Sequence, residues 1–96
     1  MMKHVVCFKL ADNSPENCQK AKEVLLSMEG NVPMLRGISV GVDFLHSPRS
    51  YDLILEVLLD GPEVLDAYQS DPYHCDVVKK HMHAVAQSSV ALDFLL

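Results

Sequence analysis

The stretch "AYQSDPYHCDVVKKHMH", residues 67 to 83, gathers three of the five histidines of the chain beside one of its three cysteines. Three chemistries could use such a set: metal ligation, acid–base catalysis, or a reactive thiol. Spacing separates them. His81 and His83 are two residues apart, so on a helix they project about 200° from one another and cannot share an ion. His74 and His81 share a face, yet seven residues at about 1.5 Å rise part them by about 10 Å, against roughly 2 Å from each ligand to zinc. No metal is therefore expected. Cys75 stands near a helix start, where thiolate is favoured, but no histidine is directed at it, and it reads as a packing or surface cysteine.

Acid–base chemistry fits better. Asp71-Pro72 opens a helix, with Asp71 as cap and Pro72 in the first helical position, which puts His74 in the first turn. The positive helix end disfavours imidazolium there, so a neutral, basic His74 is expected near pH 7. Tyr68 lies just across the Asp71-Pro72 break, close enough to meet His74 over one cavity mouth. Such a pair could remove a carbon-bound proton and hold a carbonyl, or could merely cap a helix junction. His81, His83, Lys79 and Lys80 read as a solvated face. His4 alternates with Val6 and Phe8 on the first strand, so the three point into one helix-covered space as candidate ligand contacts. A polar ring there needs a partner: His74, backbone or ligand.

The elements that must hold these residues follow from periodicity. "KHVVCFKL" alternates as a strand, with His4, Val6, Phe8 and Leu10 on one face and Val5, Cys7 and Lys9 on the other. Ser14 and Pro15 start a helix that carries Cys18, Ala21, Leu25 and Met28 at helical spacing and stops near Gly30. "GISVGVDFL" is a second strand, with Ile38, Val40, Val42 and Phe44 on one face, and "YDLILEVLL" a third. A helix begins at Pro62 and is broken at Asp71-Pro72. A fresh helix runs to about Val85, and "SSVALDFLL" closes the chain as a fourth strand. Strand, helix, strand, repeated once, predicts a single α+β domain over residues 1–96: a ferredoxin-like βαββαβ sandwich with both helices on one face of a four-stranded antiparallel sheet.

Two helices cover one face only. Val5, Cys7, Ile54 and Leu58 make the other partly apolar, and a second copy is its simplest cover, giving a homodimer through the open sheet faces. Composition agrees with a folded chain, at 49% hydrophobic and 22% charged residues. A net charge of −5 disfavours nucleic acid and anionic membrane surfaces. No apolar run approaches the roughly 20 residues of a membrane span. The start lacks a signal-peptide pattern, and three cysteines without CxxC spacing fit a reducing cytoplasm. Gly37 and Gly41 do not form a phosphate loop, and no cofactor is expected.

"KHVVCFKL", "GISVGVDF" before "YDLILEV", "LDAYQSDPYH" and the closing "VALDF" together resemble the stress-responsive A/B-barrel (Dabb) family. The resemblance spans nearly the whole chain and implies a ferredoxin-like protomer pairing into a dimeric α+β barrel. The family includes plant stress proteins, bacterial members without assigned activity, and a plant polyketide cyclase that works by aldol condensation. By that resemblance Tyr68 and His74 would be the acid–base pair, and His4 a further pocket histidine. Departures are Asp71 in place of a histidine before the proline, the lysine-rich "VVKKHMHAVAQSS", and small Ala86, Ser89 and Ala91 where the cyclase has large aromatic residues. Haem-degrading and quinol monooxygenases share the fold, but this chain has no tryptophan and no defined axial histidine. Three functions follow: a binder of a small hydrophobic or aromatic molecule, a lyase or cyclase using His74 and Tyr68, or a structural, stress-protective oligomer.

Overall fold

The computed structural model describes residues 1–96. Strand β1 spans Met2–Leu10, helix α1 Pro15–Leu26, β2 Gly37–Val42 and β3 Leu53–Leu59. A 3₁₀ turn, Pro62–Val64, then leads into the short helix α2, Leu65–Gln69. A π-helical segment, His74–Lys79, runs directly into α3, Lys80–Val85, and β4 covers Ala86–Leu95. The sheet order is β2-β3-β1-β4, every pair antiparallel. This is the ferredoxin-like α+β sandwich that the order of elements predicts.

Register sorts the side chains. His4 faces Val57 on β3 and Asp93 on β4, while Val6 faces Leu55 and Ala91. Alternation therefore places Leu53, Leu55, Val57 and Leu59 on the helix-covered face, where all four are buried. Cys18, Ala21, Leu25 and Met28 of the α1 region close over them. Full burial of each large aliphatic among these contributes about 1.5–3 kcal/mol. Ser14 caps α1 by accepting from the Asn17 N–H, with Pro15 in the first turn. Past its end, Gly30 adopts φ +83°, the left-handed region that glycine enters without strain.

Several boundaries differ from the sequence expectation, each for a local reason. β2 stops at Val42 and excludes Phe44, because Asp43 turns the chain: its carboxylate accepts the His46 N–H at 2.7 Å, and His46 takes φ +53°. Phe44 is left 88% exposed. β3 begins at Leu53 rather than Tyr51, since Asp52 is buried and spends its carboxylate on the Leu10 N–H (2.8 Å) and the Asn13 side chain (3.1 Å). β4 starts at Ala86, two residues earlier than its apolar pattern. The segment after Pro72 is not a uniform α-helix: its first part is the π-helical His74–Lys79.

Candidate functional site

A cavity of about 250 Å³ lies between the covered face of the sheet and the helical layer. The sheet supplies His4, Val6 and Phe8 from β1, Leu55 from β3, and Ala86, Ser89 and Ala91 from β4. The other wall is Leu25, Tyr68, Gln69, His74, Val78, Lys79, Met82 and His83. All five candidate site residues of the sequence, His74, Tyr68, His4, Val6 and Phe8, line this one space.

The ring geometry is a stack. Tyr68 and His74 lie with centroids 4.4 Å apart and planes 27° from parallel. His4 meets Tyr68 edge-on, at 5.5 Å and 63°. All three are buried. His74 is positioned as expected from Asp71: its backbone N–H donates to the Asp71 carboxylate at 3.0 Å, and the Cys75 N–H donates to the Asp71 carbonyl at 2.9 Å. Its imidazole Nδ1 is buried and has no hydrogen-bond partner. An orphaned polar atom in such a place loses its hydration without replacement, which costs about 1–3 kcal/mol.

His74 is held towards its neutral form, below the usual imidazole range, but the helix end is not the main reason. Burial comes first, then the positive charge of Lys79, with His4 adding in the same direction. The Tyr68 carbonyl opposes them by more than His4 adds, and the Gln69 carbonyl opposes by less. Tyr68 differs from expectation in its hydroxyl. That group donates towards the Met28 sulfur at 3.8 Å, inside the core, instead of bonding the imidazole. Burial, and behind it the charges of Asp71 and Asp93, push the phenol far above its ordinary range. Tyr68 thus borders the cavity with its ring, directs its hydroxyl into the core, and stays protonated.

The partner that His4 requires is Asp93, which no motif had singled out. Its Oδ1 sits 2.5 Å from His4 Nδ1. An ionised carboxylate can only accept, so in this contact Nδ1 carries the proton. Register was the signal: Asp93 is the one charged residue in the closing strand, and it stands directly opposite His4.

Two more lining residues were assigned to a solvated face. Lys79 reaches back to donate to the Gln69 carbonyl at 3.2 Å, and His83, although exposed, stands at the mouth. Lys79, the last residue of the π-helical segment, and His83 on α3 are four apart, so they form one row. Cys75 packs instead of reacting, its thiol directed at the same Gln69 carbonyl, 3.2 Å away. No three His, Cys, Asp or Glu side chains come together in a group that could hold a metal ion, and no helix is long and apolar enough to cross a membrane.

Comparison with solved structures returns the same fold. A dimeric ferredoxin-like protein of unknown function from Thermobifida fusca is 24% identical, with TM-score 0.83, covering 99% of this chain and 90% of that one. A protein from Arabidopsis thaliana superposes with TM-score 0.85 at 17% identity, over 100% and 95% of the two chains. Hydroxynitrile lyase from Passiflora edulis gives TM-score 0.80 at 13% identity, over 99% and 92%. No curated protein matches in sequence. The model of the stress responsive A/B barrel domain matches residues 2–96, so the chain belongs to the stress-responsive A/B-barrel (Dabb) family.

Proposed function

We propose that this protein is a homodimer, joined through its open sheet faces, that binds a small hydrophobic or aromatic molecule in the cavity between sheet and helices. The observation that carries the reading is the buried, unpartnered Nδ1 of His74 on the wall of a cavity with a mostly apolar lining. A folded chain keeps an unsatisfied polar atom rarely, and a polar group on a ligand is one partner that could satisfy it. Val6 and Phe8 supply apolar contact, the Tyr68 ring a flat wall, and His4, fixed by Asp93, a second polar point. The dimer accounts for the apolar residues on the uncovered face, and some structural neighbours, such as that from Thermobifida fusca, are described as dimeric.

A second reading, a lyase or cyclase, is favoured by one feature: a neutral imidazole is a competent base near pH 7. In it His74 removes an acidic carbon-bound proton and His4 orients the substrate. Tyr68, its hydroxyl turned to Met28, serves as stacking surface unless substrate draws the phenol round. Screening a library of single-ring fragments by ligand-observed NMR, against the protein and its Val6→Trp variant, tests the shared premise. Fragments should bind the first and not the second, whose indole fills the cavity. Absence of binding to either would leave only the structural, stress-protective role.

A further inference from the structure

The cavity wall has a charge character opposite to that of the chain. The protein carries 13 acidic against 8 basic side chains, yet none of the 15 lining residues is Asp or Glu. The same lining holds a lysine and three of the five histidines: His4, His74, Lys79 and His83. The two carboxylates beside the ring stack are both engaged, Asp93 by the His4 side chain and Asp71 by the His74 N–H. Position along the cavity matters as well. The ring stack of His4, Tyr68 and His74 is buried, whereas His83 and Ser89 are exposed and Lys79 is partly so. Six further lining residues, Val6, Phe8, Leu25, Leu55, Val78 and Met82, are apolar.

We infer that the ligand of this cavity is a small organic acid: its carboxylate is held at the mouth by Lys79 and His83, and its apolar body lies inside against Val6, Phe8 and Val78. This rests on the ligand-binding reading above and narrows it to a chemical class. The Lys79 ammonium has three N–H donors and uses one on the Gln69 carbonyl, which leaves two for a carboxylate. His83, one turn further along, adds an imidazole N–H in either protonation state. At the buried end a hydroxyl on the ligand suits the His74 imidazole, because it can donate or accept as the tautomer requires. Size points to one ring with a short chain: a dry cavity of about 150 Å³ holds benzene, and this one measures about 250 Å³.

The probe is 3-(4-hydroxyphenyl)propanoate, with its primary amide as the uncharged isostere, titrated calorimetrically into the full chain at low salt. The acid should bind at least about tenfold more tightly than the amide, the effect of one charge-assisted hydrogen bond. Rising salt should shrink that ratio, since the contact is at the mouth. Lys79→Met combined with His83→Gln should bring acid and amide to parity, while Lys79→Arg keeps the preference. Equal binding of acid and amide to the unaltered protein, or a preference that survives in the double variant, would overturn the acid assignment and leave the ligand-binding reading intact. If neither compound binds and fragments also fail, both fall together. Should the double variant not fold, the acid-to-amide ratio and its salt dependence in the unaltered chain decide the matter.

Discussion

The two faces of the sheet are built from alternate residues of the same four strands, and they have opposite defects. On the covered face Leu53, Leu55, Val57 and Leu59 are buried under α1 and its neighbours. There the apolar side chains surround a cavity lined with histidines. On the open face Ile54 is 37% exposed, Phe94 40%, Val90 49% and Leu92 65%, with Lys3–Glu56 the one ion pair among them. A monomer rarely leaves so continuous an apolar surface to water. One face has polar groups where apolar ones would pack better, and the other has apolar groups where polar ones would be solvated. Each defect points outside the chain, the first to a small molecule and the second to a large surface.

The contrast can be broken most violently from the covered side. Leu59→Asp places an unpaired charge where no solvent reaches and removes a core side chain. A loss of about 5 kcal/mol, comparable to the whole stability of many small domains, should abolish the cooperative thermal transition. A folded Leu59→Asp protein would mean that the core is not where the burial pattern puts it. The matched change on the other face, Ile54→Asp, should leave the far-UV circular dichroism in place but turn the proposed dimer into monomer in sedimentation equilibrium. If it still sediments as a dimer, that face is not the interface.

The smallest effect sharpens the reading of the cavity. The folded state holds the His74 pKa below its ordinary value, chiefly through burial. The unfolded chain therefore binds the proton more readily, and stability must rise with pH across the window between the two values. It follows that the advantage is complete above the ordinary histidine range and is lost as pH falls through the folded value. The melting temperature should drop on going from pH 7.5 to 5.5, and His74→Gln should flatten that drop. An unchanged pH profile in the variant would show that His74 titrates as an exposed histidine does.

How much of this was legible in the sequence depends on the range over which each cue acts. Alternation in "KHVVCFKL" and the Ser14-Pro15 start are local signals, and both read correctly. Strand ends were harder, since the alternating pattern of "GISVGVDF" continues past Val42 and only the Asp43–His46 turn stops it. The candidate residues His4, Val6, Phe8, Tyr68 and His74 share one cavity because their elements were in the right order. Asp93 escaped notice because its meeting with His4 spans 89 positions, and no local pattern encodes the β1–β4 register. Lys79 escaped for a different reason. On a regular α-helix, residues five apart diverge by about 140°, so a lysine at that offset from His74 belongs on another face. The π-helical segment, with its i→i+5 bonding, brings the two onto one wall.

That wide turn works as a phase adjustment between two halves of a wall. At its start stand the break at Asp71-Pro72 and the histidine; at its end, the row that runs from Lys79 to His83 on α3. One residue fewer between His74 and Lys79 would restore ordinary winding and turn the downstream row by about 100°. The cavity would keep its imidazole and lose its lysine. Insertion or deletion of one codon there is thus a coarse selector of what the mouth carries, whereas point changes in α3 are the fine one. A scaffold with such a joint can alter the chemistry of its entrance without disturbing the sheet that forms its floor.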